Sequence, residues 1–327
     1  MDRAILTSVF VELGRRLRTF GEDEKSASVI ELAVAANEWF APSEVVMAVR
    51  AICEEMLDED KLQKWLANYN FPAKSMRVGI IMAGNIPLVG FFDLMCVLLC
   101  GYTAVIKPSS KDSVMMQYII DILRDICPTI PIEKYSGDEQ IDKVIATGGD
   151  AAAAHFRARY NNIPSLIRGS RHSVAVLSGE ESNEQMNLLQ RDIYTYSGLG
   201  CRNVSLIFAP RGWNGEIPQP ESMVEMKRGN YLCDKAMMLM SKMEFLDLNG
   251  ALAVESRSFP ETLSRVHYAY YDSLAEVRAW LEENDGALQC VVSEVIDHPR
   301  RADFGRAQYP TLCDYADGID VMKFLID

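Results

Sequence analysis

From Met76 onward the chain alternates short apolar runs with helix-like stretches over short connections, and that rhythm restricts it to a doubly wound α/β architecture. RVGIIMAG ends in Gly84, as a strand buried in a parallel sheet does, and LVGFFDLMCVLLCG reads as a helix closed by Gly101. YTAVIK is the next strand and SKDSVMMQYIIDILRDIC the next helix. KVIATGG gives a strand and glycine turn, followed by the helix DAAAAHFRARY. SVAVL, NVSLIFA, GALAVE and LQCVVS supply later strands. Before Met76 the pattern is helical: SASVIELAVAANEWF, then PSEVVMAVRAICEEML with Ser43 as the expected N-cap behind Pro42, then EDKLQKWLANYNF.

Charge and cysteine usage narrow the partners. A net charge of -13, with no strong clustering of lysine or arginine, argues against nucleic acid, whose backbone would be repelled. The eight cysteines include no CxxC pair and most lie in apolar runs, where a free thiol acts as a small hydrophobe. No metal is expected from them or from the four scattered histidines, and the three acidic groups of DYADGID read as a solvated turn. Unpaired thiols and a start without signal-peptide order point to the cytoplasm. Ile86 to Val105 has the length and apolarity of a membrane span, but Asp93 at its centre would cost roughly 2.5–3.5 kcal/mol there. A buried helix passing into a buried strand explains the same residues, so no membrane insertion is expected.

In a doubly wound sheet, ligands bind beyond the carboxyl ends of the strands. AGNIP, KPSSK and TGGD stand at three such ends. TGGD precedes a helix whose free N–H groups suit a phosphate, although on spacing alone a structural turn is favoured, and no GxGxxG is present. YTYSGLGCRNVSLIFAP says more. Gly198 and Gly200 precede Cys201 in a polar turn, where a substrate can approach the backbone and the cysteine N–H is left to donate. From local sequence that residue is either a thiolate nucleophile for acyl or aldehyde chemistry or a buried structural thiol.

A family resemblance separates the two. AGNIPLVGFFDLMCVLLCGYTAVIKPSS resembles the stretch of aldehyde dehydrogenases in which an asparagine–x–proline turn leads through a helix to a strand ending in Lys-Pro-Ser. ATGGD is similar to their Thr-Gly-Ser phosphate turn, and GLGCRNVSLIF to their Gly-x-x-Cys segment, in the same order. FGRAQYPTLCDYADGIDVMKFL resembles the ending of short relatives of the fatty acyl-CoA reductases, whose best-known member supplies aldehyde for bacterial bioluminescence.

The resemblance implies a helical N-terminal region at 1–75, a Rossmann-like cofactor domain at 76–178, a smaller catalytic domain at 179–305 and a C-terminal return segment at 306–327. It makes Cys201 the nucleophile and Asn85 the side-chain amide that, with the Cys201 N–H, stabilises the oxyanion. Lys107 would bond the adenosine ribose, with Ser109 and Ser110 beside it, and Gly148 and Gly149 would lie against the pyrophosphate. Ser110 stands where many NAD-using relatives carry a ribose-gripping glutamate, which favours NADPH, with NADH as the second choice. A homo-oligomer is also implied.

Departures from the family pattern bear on the reaction. Ile167-Arg168-Gly169-Ser170 replaces the Glu-Leu-Gly-Gly segment whose glutamate activates the deacylating water, so hydrolysis should be slow. Acyl-CoA should therefore enter, coenzyme A leave and aldehyde depart. SRSFPETL stands near the place of the cofactor-gripping Glu-x-Phe-Gly-Pro segment, with Glu261 its loose counterpart, and the chain is shorter than typical members. Arg168, Arg171 and His172 would meet cofactor phosphates or, as we favour, pair with the protein's own acidic groups. Two rival readings stay open. One is an acyl-phosphate (glutamyl-phosphate-like) reductase of the same superfamily; the other is a non-catalytic nucleotide- or partner-binding relative.

Overall fold

The computed structural model describes residues 3–137, 139–213 and 215–327, and the chain divides into two compact units. The first comprises residues 1–170 and 309–327, the second residues 171–308.

In the first unit four helices, α1 (Arg3–Leu17), α2 (Glu24–Ala36), α3 (Pro42–Glu55) and α4 (Glu59–Leu66), precede the α/β part. That part runs β1 (Arg77–Ile81), α5 (Phe91–Leu99), β2 (Thr103–Lys107), α6 (Ser113–Ile126), β3 (Ile132–Lys134), β4 (Lys143–Thr147), α7 (Asp150–Arg159) and β5 (Ser165–Arg168). The five strands are parallel in the order β3-β2-β1-β4-β5, so the winding reverses between β1 and β4. Period-two alternation sorts each strand between two cores. Val78, Ile80, Ala104, Ile106 and Ile145 pack with α1, α5 and α6, while Ile81, Val105, Val144 and Ala146 pack with Tyr160 and Phe156 on the other side.

Two local readings are decided here. Pro42 is the first residue of α3 behind an Ala41 N-cap, so Ser43 lies inside the helix and does not cap it; proline's missing N–H is one the first turn does not need. The apolar stretch after Ile86 is a helix, α5, buried along nearly its whole length, leading through Gly101 (φ 79°) into buried β2. Among the described residues no helix is long and apolar enough to cross a membrane. The chain returns to this unit at its end. Lys143 Nζ donates to the carbonyls of Phe324 (2.7 Å) and Leu325 (3.2 Å) in the C-terminal helix Val321–Ile326, and Trp65 Nε1 donates to the Tyr315 hydroxyl.

The second unit contains β6 (His172–Val176), α8 (Asn183–Tyr194), β7 (Val204–Pro210), α9 (Glu225–Met240), β8 (Leu246–Asp247), β9 (Leu252–Glu255), β10 (Arg265–Tyr271), α10 (Leu274–Glu283), β11 (Leu288–Ser293) and β12 (Arg301–Ala302). Its sheet runs β12-β11-β6-β7-β10-β9-β8, parallel except where β8 meets β9. The same alternation builds a core under α8 (Ala175, Val204, Ile207, Val292) and another under α10 (Val174, Leu206, Phe208, Val291). β6 hydrogen-bonds between β11 and β7, so the first unit stops at Ser170 and not at 178, and the returning segment begins at Tyr309 and not at 306. The protein is an α/β protein built on two largely parallel sheets.

Candidate active site

In the first unit the residues singled out on sequence lie at the carboxyl ends of β1, β2 and β4, one edge of a parallel sheet. Asn85 is half-buried in the turn after β1. Gly84, just before it, is pressed against the turn after β2: a Cβ there would come within 2.6 Å of Ser109. Lys107 closes β2 with its side chain exposed, and its carbonyl accepts the Met82 N–H. Ser109 and Ser110 serve their own turn. The Ser109 hydroxyl accepts the Lys111 N–H at 3.3 Å, and the Ser110 carbonyl accepts the Ser113 hydroxyl.

The glycine turn after β4 is shaped by close packing. The Gly148 N–H donates to the Arg168 carbonyl, and a Cβ on Gly148 would meet Ala152 at 2.9 Å. Gly149 is the N-cap of α7, exposed and without a side-chain cap, and a Cβ there would have nothing closer than 4.0 Å. Asp150 follows, and its carboxylate accepts the Ser170 N–H at 2.8 Å. That carboxylate competes with a phosphate for this helix end, so an anion there must use the N–H groups Asp150 does not take up.

In the second unit Cys201 lies at the amino edge of the sheet, just before β7, and is half-buried. The chain arrives from α8 through three successive left-handed residues, Tyr196 (φ 55°), Ser197 (φ 57°) and Gly198 (φ 79°). Only the last is a glycine. Each of the others costs on the order of 1–2 kcal/mol, so the turn must be held from outside. Asn203, 4% exposed, does this: its amide donates to the carbonyls of Ile193 (3.1 Å) and Thr195 (2.8 Å), and its Oδ1 accepts the Gly200 N–H (2.8 Å). From below, the buried Ser173 hydroxyl donates to the Cys201 carbonyl at 2.8 Å and accepts the Cys290 N–H at 3.1 Å. The nucleophile candidate's backbone is thus fixed on both sides.

Glu261 is exposed in the loop between β9 and β10. The residues after it run beside the cysteine turn, since a Cβ on Gly198 would lie 3.7 Å from Leu263 Cδ1 and 3.9 Å from Lys227 Nζ. Helix α9 clamps that loop. Lys227, 4% exposed, donates to the Leu263 carbonyl at 2.7 Å, the Ser264 hydroxyl donates to Asn230, and Asp234 accepts from Thr262 and Arg265. Burial pulls the Lys227 ammonium down to about 8, against the attraction of Asp234.

Four of the other thiols are held above their ordinary range. Burial pushes Cys53 up to about 11 and Cys100 up to about 12, and raises Cys96 well above its ordinary value. Cys233 is exposed on α9, and Cys313 is raised by burial and by Asp314 and Asp320. The basic cluster resolves as pairing within the protein. Arg168 is buried against Asp93, Arg171 donates to the Leu288 carbonyl at 3.1 Å, and His172 stacks on Phe259 with ring centres 4.4 Å apart. Ile167, where the hydrolytic glutamate would stand, packs against the core behind β4.

Sequence reasoning missed Asn203, Ser173 and Lys227. Asn203 carried a signal, being a turn-forming residue two positions after the thiol. The other two carried none, because their partners are distant in sequence.

The acyl-CoA reductase (LuxC) family model matches residues 37–217, over half of the chain. No curated protein matches it in sequence. Solved structures share the fold at low identity. An aldehyde dehydrogenase of Mycobacterium tuberculosis complexed with NAD+ has 14% identity and TM-score 0.63, covering 91% of this chain and 74% of its own. An acetylating aldehyde dehydrogenase from Geobacillus thermoglucosidasius has 12% identity and TM-score 0.62, over 95% and 86%. Glyceraldehyde-3-phosphate dehydrogenase GapN from Methanocaldococcus jannaschii, complexed with NADP, has 12% identity and TM-score 0.65, over 91% and 77%.

Proposed function

Since the chain belongs to the acyl-CoA reductase (LuxC) family, we propose that it reduces an acyl-CoA thioester to an aldehyde through an acyl group held on Cys201, with NADPH as donor. The observation that carries this reading is the doubly anchored turn that holds Cys201 half-buried at the sheet edge while Cys96, Cys100, Cys127 and Cys290 are buried. In the first step the Cys201 sulfur attacks the acyl carbonyl. A carbon–sulfur bond to Cys201 forms, the bond to coenzyme A breaks, and the departing thiolate takes up the proton that Cys201 has lost. Asn85 is the side-chain donor to the oxyanion of that step, where one such donor lowers the barrier by roughly 2.7–4 kcal/mol.

The residues of the first unit suit a dinucleotide. An exposed Lys107 and the uncapped glycine turn at Gly148 and Gly149, exposed at Gly149, flank the reversal in strand order, where doubly wound sheets take nucleotides. Structures of this fold in complex with NAD+ and NADP support a nicotinamide, which supplies the hydride when bound. Lys107, Ser109, Ser110, Gly148 and Gly149 would hold it, with Glu261 as a further contact. Ser110 in place of a carboxylate, with Lys111 beside it, removes repulsion of a 2′-phosphate and selects NADPH. Ile167 at the hydrolytic position leaves acyl-Cys201 without a base for water, which keeps the acyl group for reduction. Among the described residues no cysteine is in a disulfide, as suits the cytoplasm, and a homo-oligomer is part of the reading.

The test is mass spectrometry after incubation with a panel of acyl-CoAs and acyl phosphates, run beside NADPH oxidation. A mass increment on the peptide carrying Cys201, lost together with turnover in Cys201→Ala, supports the reading. Near-normal turnover in that variant rules out the covalent route.

A further inference from the structure

Asn85 lies between two buried side chains that reach in from other parts of the first unit. On its N-terminal side the Asn37 amide donates to the Gly84 carbonyl at 3.4 Å. On its C-terminal side the Leu88 N–H donates to Asp112 Oδ2 at 2.9 Å. Asp112 is the N-cap of α6, yet its carboxyl makes no cap bond to that helix; it is turned across to the neighbouring turn. It is 2% exposed, and its other oxygen, Oδ1, is buried without a hydrogen-bond partner.

Leu88 explains why such a contact is needed. Its φ is 58°, a left-handed backbone on a branched, buried side chain, which is strained for any L-residue with a Cβ. An unheld turn would relax toward φ < 0 and swing the preceding residues with it. Pro87 stiffens the turn and Gly84 lets it lie against Ser109, but neither supplies an acceptor at Leu88. Burying a carboxyl with one unsatisfied oxygen is itself unfavourable, so the fold retains Asp112 here at a cost.

We propose that Asp112 is the positioning residue of the turn that carries Asn85: by accepting the Leu88 N–H it fixes the left-handed backbone there and thereby aims the Asn85 amide. The proposal rests on the reading of Asn85 as the oxyanion donor. Asp112 acts through Asn85 and touches no substrate.

Steady-state kinetics of the full-length protein with acyl-CoA and NADPH test it, using Asn85→Ala, Asp112→Ala, Asp112→Asn and the double variant Asn85→Ala/Asp112→Ala. Asp112→Ala is expected to lower kcat by about 10–100-fold with KM for both substrates little changed. Asp112→Asn, which keeps an acceptor of the same shape, restores kcat to within about threefold of wild type. The double variant is no slower than Asn85→Ala, because the positioning effect has nothing left to position. A folded Asp112→Ala with wild-type kcat, or losses that multiply in the double variant, would overturn the proposal while leaving the role of Asn85 intact. Wild-type kcat in Asn85→Ala overturns the oxyanion reading itself. Should Asp112→Ala fail to fold, Asp112→Ser supplies an N-cap hydroxyl too short to reach Leu88, and the same comparison applies to it.

Discussion

Arg168 grips Asp93 in a bidentate pair, Nη1 donating to Oδ2 at 2.6 Å and Nη2 to Oδ1 at 3.0 Å, with both side chains more than nine-tenths buried. One residue closes β5 and the other lies in the first turn of α5, so the pair ties a sheet edge to the most apolar helix of the first unit. It also explains how a carboxylate sits inside the apolar run after Ile86. Removing one partner leaves an uncompensated buried charge, so Arg168→Met should destabilise the protein by about 3–5 kcal/mol. The double replacement Asp93→Leu/Arg168→Met should cost less than that single change. Denaturant unfolding of the two variants and the parent checks the order. A double variant less stable than Arg168→Met would contradict it.

Asn203 supports two ends of one strained turn, so its loss should appear in catalysis before it appears in folding. Asn203→Ala leaves the Gly200 N–H and the Ile193 and Thr195 carbonyls without their shared partner, at roughly 1–3 kcal/mol. With Tyr196 and Ser197 free to leave their left-handed backbone, Cys201 loses its fixed approach. Acylation of Cys201 should slow by at least about tenfold, given the sensitivity of bound geometry to small shifts. Stopped-flow or quenched mass measurement of acyl transfer reads this directly. An unchanged acylation rate with reduced stability would reduce Asn203 to a purely structural residue.

Most of the architecture was legible because period-two and helical patterns report burial, and burial is what a doubly wound sheet imposes. The run from Ile86 to Val105 reads as buried helix and strand from Pro87, Gly90, Gly101 and Asp93. β10 escaped because Arg265 and His267 break its apolar pattern. They are tolerated only because Arg265 pairs with Asp234 and the His267 Nδ1–H donates to the Ser258 carbonyl, contacts that exist once α9 and the loop have folded. β3 and β5 are three and four residues long, too short for periodicity to show. At the candidate site, Cys201 and its glycines were visible as a local motif. The side chains that hold the turns, Ser173 from β6 and Asp112 from the start of α6, were not, since a hydrogen bond across elements leaves no spacing in the sequence.

Lys227 makes a pH prediction of opposite sense to that of a buried acid. Its ammonium titrates at about 8 in the folded protein, below its ordinary 10.5, because burial disfavours the charge. Between those values the unfolded chain binds more protons than the folded one, so this residue makes unfolding less favourable as pH rises from 8 toward 10.5. Below pH 8 both states carry the charge and the penalty is fully present. Lys227→Met removes the titration along with the bond to the Leu263 carbonyl. The stability of wild type relative to Lys227→Met should therefore increase from pH 7 to pH 10. A difference independent of pH over that range would show that the ammonium is not disfavoured in the fold.

Asp112 gives the mirror case and a check on its burial that does not depend on activity. Desolvation raises its carboxyl to about 8 from an ordinary 3.8, against the opposing effect of the Leu88 N–H. Well below pH 3.8 the group is protonated in both states and adds no ionisation penalty. As pH rises from 4 to 8 the unfolded chain releases this proton while the folded protein keeps it, so stability falls by roughly 1.4 kcal/mol for each unit that separates the two values. Above pH 8 the full penalty remains. Asparagine cannot ionise, so Asp112→Asn should gain stability relative to wild type steadily from pH 5 to pH 8.5. Thermal melts of the two proteins in matched buffers give this difference without absolute values. Below pH 3.8 the two proteins should be about equally stable, because the protonated carboxyl fits the site as well as the amide does. A constant offset across the range would mean that the carboxyl ionises as freely in the fold as in water, and that water reaches Asp112 where the packing of Gly84, Leu88 and Ser109 excludes it.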